Sequence, residues 1–336
     1  MGVTVPHRDA TDPPRSSTPR RRTVVALAVL PLSATIALTG CSSDDSGGTS
    51  DSGPCAESSS VDRAGVRPIP VSAATVTVVD PGSGTPQPLT PAPDTARAQK
   101  VTLTTDSLEA SIAPDAQNKQ QVQRTQQNLT TPITARVACD DPSNLEFTIG
   151  TPTTLDDALT PELGAISGSA GGVTFAPGLN PQMLRLLPND DSSSPARSAV
   201  EQSFTGAFDQ SIPLPTEPVG VGARWESVRT IASAATIRRT TTVTLKARVG
   251  SVLTLAVTVD ETPVDSVFRI PGSAQTLTID RYAMSGSGEV TVDLTKMLPT
   301  GGKIVTKGAR QLSGDAGAPP LLQQNEYTVS WSPAAP

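Results

Sequence analysis

The adjacent acidic pairs Asp140-Asp141, Asp156-Asp157, Asp190-Asp191 and Asp260-Glu261 are the side chains of this sequence best suited to acid–base chemistry. Cleavage of a glycosidic bond needs two carboxylates roughly 5 to 10 Å apart in a cleft. Neighbours on a strand face opposite ways, and these pairs fall mostly at turns, so they read as solvated loop charge. None matches the spacing of an EF-hand loop. His7 is the one histidine of the chain, and it precedes the cleavage site argued below. The processed chain therefore has no histidine, which excludes a Ser-His-Asp triad, a Cys-His pair and a histidine-ligated metal. No lysine has a serine three residues before it, so the nucleophile of penicillin-binding enzymes is absent. Gly220-Val221-Gly222 begins like a dinucleotide fingerprint, but Trp225 replaces the third glycine. The segment also leads into a strand, where phosphate binding needs a helix; it reads as a tight turn whose tryptophan closes the core. Tyr282 and Tyr327 could stack on a sugar or cap a pocket, yet both lie on alternating strands and are assigned to core or edge packing. No cofactor and no metal are expected.

The cysteines carry clearer chemistry. Arg20, Arg21 and Arg22 precede an apolar run over residues 23–38, the layout of a signal peptide. A spanning helix needs about 20 apolar residues, more than this run supplies. Directly after it, Leu38-Thr39-Gly40-Cys41 has the form of a lipobox: small residues let the peptidase close on the chain, and the Cys41 thiol takes a diacylglyceryl group. Residues 1–40 are thus read as a lipoprotein signal peptide, exported by Sec or Tat. Residues 41–60 are a Ser/Asp/Gly-rich tether, too polar to bury area and with a reach of roughly 25 Å. With Cys41 lipidated, Cys55 and Cys139 remain as an even pair in an oxidising compartment and are expected to form a disulfide.

The first forty residues hold five of the 26 basic and two of the 32 acidic side chains, so the remainder carries a net charge of −9. Nucleic acid is not an expected partner.

Residues 61–336 are read as a single, mainly β domain. Period-two alternation of Val, Leu, Ile and Thr, cut by Pro and Gly, predicts an antiparallel sheet with one buried face: all-β, an elongated or curved sheet, open barrel or sandwich. The clearest case is a hairpin in which Val243, Leu245, Ala247 and Val249 alternate inward and Gly250-Ser251 form a type II′ turn. Leu253, Leu255, Val257 and Val259 then return on the same face. Further strands are expected over 75–79, 100–106, 131–137, 145–149, 276–282, 289–294 and 327–331, with loops at 81–93, 164–172 and 315–320. One helix, with Ser194 as N-cap and Pro195 in its first turn, runs to about Asp209. Its stripe of Val200, Phe204 and Phe208 should pack on the sheet's apolar face.

Pro218-Val219-Gly220-Val221-Gly222-Ala223-Arg224-Trp225, followed by hairpins and then Gly286-Ser287-Gly288-Glu289-Val290-Thr291-Val292-Asp293, resembles a family of actinobacterial lipoproteins of unassigned function. The run over residues 95–104 is similar too. The resemblance spans most of the mature chain and supplies no catalytic or binding residues. The expectation is a non-enzymatic protein anchored by lipid at the extracytoplasmic face of the cell membrane. Its sheet and helix would present an apolar surface, formed by Val200, Phe204, Phe208 and Trp225, to a small amphiphile or a partner protein. The alternatives are a purely structural interaction module and, behind it, a carboxylate-based hydrolase; clustered acidic pairs in one deep cleft would favour the last.

Overall fold

The computed structural model describes residues 55–334 apart from 116, 118, 271 and 315–318. The expected leader, Leu38-Thr39-Gly40-Cys41 and the tether before Cys55 lie outside the described residues. In chain order the strands are β1 (Arg67–Pro70), β2 (Thr75–Asp80), β3 (Gln99–Pro114), β4 (Gln120–Val137), β5 (Asn144–Ile149), β6 (Ala170–Ala176) and β7 (Asn180–Leu187). They continue as β8 (Arg224–Ala232), β9 (Thr236–Val249), β10 (Val252–Pro263), β11 (Val267–Arg269), β12 (Thr276–Asp293), β13 (Gly301–Ser313) and β14 (Leu321–Pro333). Helix α1 spans Ser194–Asp209, and a short 3-10 helix spans Thr160–Ile166.

These strands form a single antiparallel sheet in the order β1-β7-β6-β5-β4-β3-β14-β13-β12-β10-β9-β8-β2, with β11 added on β12. Flat, its edges would stand about 58 Å apart at about 4.8 Å per strand. Yet β1 and β2 are opposite edges joined by only residues 71–74, which reach about 17 Å when extended. The sheet must therefore curl until its two edges nearly meet, and α1 packs on its inner face against β3, β4 and β7. Side chains, not a strand ladder, bridge the gap. Asn180 of β7 donates to Ala74 O at 2.9 Å and accepts from Ala74 N at 3.2 Å. From the other edge, buried Arg229 of β8 donates to Ser72 O at 3.1 Å.

The core explains the helix. Val200, Phe204 and Phe208 are 3%, 1% and 3% exposed, and Phe204 stacks on Phe147 of β5 with ring centres 5.1 Å apart. Phe208 meets Phe175 edge-on at 6.4 Å. Trp225 is fully buried and donates its indole N–H to Pro213 O at 3.0 Å. The Cys55–Cys139 disulfide is present and ties the start of the described chain to the end of β4.

Several expectations need correction. The N-cap is Ser193, whose extended backbone leaves its hydroxyl free to accept from Ala196 N, whereas Ser194 is already helical. Residues 164–172, expected as a loop, hold the end of the 3-10 helix and the start of β6. The hairpin turn at Gly250 forms as expected, with φ +61°. A β-bulge opposite Thr254 and Leu255 makes Lys246 an extra residue, so Ala247 and Val249 turn outward. The two segments at 276–282 and 289–294 are one long strand, β12.

Candidate functional site

Three voids adjoin one another in the curled sheet, a small apolar cavity lying between a groove and a chamber that are both open to solvent. The outer one is a groove of about 440 Å³ edged by prolines 91, 93, 142, 177 and 215. It shares Phe175, Leu179 and Met297 with an apolar cavity of about 40 Å³ beneath Phe208, Val329 and Trp331. A single water needs about 10–15 Å³ on this scale, so the cavity admits a few waters and no acyl chain. It shares Gln210 in turn with a polar chamber of about 250 Å³.

The first neck is set by a tight turn between β6 and β7. Gly178 has φ +76°, and a Cβ there would lie 2.2 Å from Leu214 O. Leu179 follows at φ +56°, a left-handed geometry that costs a leucine roughly 1–2 kcal/mol. Buried packing holds this strained residue at the constriction, the kind of place where strain collects in binding sites. The opposite wall is a strap, residues 294–300, between β12 and β13. Buried Gln99 of β3 clamps it, donating to Leu298 O at 2.7 Å and accepting from Met297 N and Leu298 N at 3.3 and 3.1 Å.

The polar chamber lies where α1 ends against β9, β10, β12, β13 and β14. A helix end carries negative partial charge and unpaired carbonyls, and α1 has no basic residue in its last turn. Two strand arginines supply the missing cations: Arg229 donates to Phe208 O at 3.3 Å, and Arg239 to Asp209 O at 2.9 Å. Burial lowers the Arg229 guanidinium to about 10. The same burial raises the Asp209 carboxyl above the usual carboxylate range, although Arg239 and Arg229 oppose the shift. Arg239 faces Glu261 across the β9–β10 ladder and pairs with it at 2.6 Å, and Tyr282 donates to the other Glu261 oxygen at 2.8 Å. Arg310 lies over the Phe268 ring at 4.4 Å and donates to Gln323 at 2.7 Å.

Val200, Phe204, Phe208 and Trp225 face the interior, and only Phe208 of the four borders a void of the series. Of the acidic pairs, Asp260-Glu261 alone reaches the chamber, through Glu261. Both tyrosines assigned to packing also line it. Gln210, Arg239 and Thr306 went unnoticed because nothing local marks them; strand register assembles them. Among the described residues no helix is long and apolar enough to cross a membrane, and no group of three His, Cys, Asp or Glu could hold a metal ion.

No family model matches the chain, and no curated protein matches it. Among solved structures it is similar to one described as lipid-protein interactions in lipovitellin, at 12% identity and a TM-score of 0.38, over 71% of this chain and 26% of that one. A receptor binding domain is similar at 9% identity and a TM-score of 0.11, over 78% and 93% of the two chains. The chain spans about a quarter of the lipovitellin chain. Likeness at this level carries no functional argument.

Proposed function

We propose that this chain is a lipid-anchored envelope protein that binds one amphiphile lengthwise inside its curled sheet. It acts as a binding module, not as an enzyme. The observation that carries the reading is the adjacency of the three voids, each separated from the next only by shared wall residues, from a proline-edged groove past a small apolar cavity to a polar chamber. Ligand sites are concave and mostly apolar, with a few converging polar groups, and these adjoining voids combine both kinds of wall. The cavity at the neck is small, so an occupant must displace Met297 and Phe175. Met297 suits this, because an unbranched thioether side chain repacks at low cost. The membrane anchor follows from Cys41 and its flanking sequence, and the −9 charge of the mature chain keeps the domain off anionic headgroups.

Native mass spectrometry of the mature protein, before and after organic extraction, tests the binding. A co-purifying amphiphile that leaves on extraction and returns on addition supports it. Protein that is clean from several hosts and takes up no added amphiphile refutes it.

A further inference from the structure

The polar chamber holds two buried atoms that lack a hydrogen-bond partner, Gln210 Oε1 and Tyr327 Oη. Gln210 is 7% exposed and forms part of the wall between chamber and apolar cavity. Thr306 donates its hydroxyl proton to Tyr327 O at 3.3 Å and accepts from Gln210 Nε2 at 3.1 Å, an arrangement that leaves Oε1 with nothing to accept from. Tyr327 reaches its position only because Gly206 has no side chain: a Cβ there would lie 2.4 Å from the phenol oxygen. Glycine inside a helix costs roughly 0.5–1 kcal/mol relative to alanine. Leaving buried polar atoms unpaired costs roughly 1–3 kcal/mol each. Two such atoms bordering one chamber, the tyrosine's accommodated by a helical glycine, mark a place built for polar atoms from outside the chain.

The charges decide which kind. Arg239 and Glu261 neutralise one another, and Arg310 and Asp209 cancel formally, so the chamber offers no net charge to an ionic group. Gln210 Oε1 and the Asp209 carboxyl want donors, while the Tyr327 hydroxyl can give or accept. Hydroxyl groups meet all three needs. At about 250 Å³ the chamber has room for well over ten waters at about 10–15 Å³ each, and so for one sugar ring. Resting on the lengthwise-binding reading above, we propose that the chamber takes the neutral, polyhydroxylated head of a glycosyl amphiphile. Gln210 and Tyr327 are its hydrogen-bonding anchors, and the tail runs back through the neck.

The test is displacement of a fluorescent fatty-acid analogue from the mature protein by four probes below their micelle concentrations: dodecyl glucoside, dodecylphosphocholine, dodecanoate and free glucose. Dodecyl glucoside should bind at least tenfold tighter than dodecylphosphocholine. Tyr327→Phe and Gln210→Met should each lower its affinity about fivefold, one hydrogen bond's worth, and leave dodecanoate unchanged. Tyr327→Phe should not lower the melting temperature, because that hydroxyl has no partner to lose. Equal affinity for the three dodecyl probes would overturn the head assignment and leave the passage standing. No binding of any dodecyl probe would overturn both. Free glucose binding as tightly as dodecyl glucoside would overturn the joining of head to tail, and an unchanged glucoside preference in both variants would overturn the two anchors.

Discussion

Gln99→Ala should both destabilise the protein and speed ligand entry. The side chain satisfies three backbone groups of the strap over the apolar cavity: the N–H of Met297, and the N–H and C=O of Leu298. Met297 and Leu298 are buried, so alanine leaves these groups without partners unless the strap lifts to water. Each orphaned group costs about 1–3 kcal/mol. With partial relaxation the total is about 3 kcal/mol, which a domain stable by roughly 5–15 kcal/mol survives. The melting temperature should fall by about 6–12 °C. The same 3 kcal/mol, lost from the closed strap, raises the open population about a hundredfold. Stopped-flow association of a fluorescent amphiphile should therefore accelerate at least tenfold, while Leu163→Ala, a buried core truncation of similar cost that borders none of the three voids, should leave the rate alone. A lowered melting temperature with an unchanged association rate would refute the strap as the gate. An unchanged melting temperature would refute the clamp itself.

Arg229→Met should cost about 3–5 kcal/mol, because it strips partners from Ser72, Phe208 and Ser211 carbonyls at once; urea unfolding measures it, and a loss below about 1 kcal/mol would contradict the latch. The two tyrosines are both raised above their ordinary value of 10, by burial first and at Tyr282 also by Glu261. The folded state thus keeps protons that the unfolded chain releases. Stability from this source is complete below pH 10 and is lost as pH climbs above it. Tyrosinate absorbance should accordingly appear only together with alkaline unfolding; a rise near pH 10 in folded protein would contradict the burial. Reduction of Cys55–Cys139, which closes a loop of 84 residues, should lower stability by at most about 4–5 kcal/mol, read as a shift in the urea midpoint. Cys41→Ser should abolish incorporation of labelled palmitate, and label retained in that variant would remove the anchor.

What could be read in advance was whatever has one wet and one dry face. The β9–β10 hairpin and the stripe of α1 sit where the sheet is packed on one side, and their periodicity shows it. Beyond the helix the long strands carry no such signal. The first half of β4, rich in glutamine, is exposed on both faces, so pairing extends it where no pattern does. In β8 the signal is inverted: Trp225, Ser227 and Arg229 point inward while Val228 lies between them, because the seam needs an arginine where a core would want leucine. The polar chamber is still less visible. Arg239 meets Glu261 and Thr306 meets Tyr327 only through ladder register, which depends on turns and a bulge that alternation cannot count.

The position of the disulfide has a mechanical consequence. A pull on the chain ahead of Cys55 would, without it, be met by the short pairing of Ala56 with Val137 and Cys139 and by the Ser60–Glu146 bonds, and once these yielded would reach β1, an edge strand held to β7 along four residues, and peel the sheet from its rim. The Cys55–Cys139 bond diverts the load to the end of β4, which is laced to β3 along its length and to β5 on the other side. Tension then shears interior strands, where many bonds must break together, and the rim that borders the seam stays unloaded.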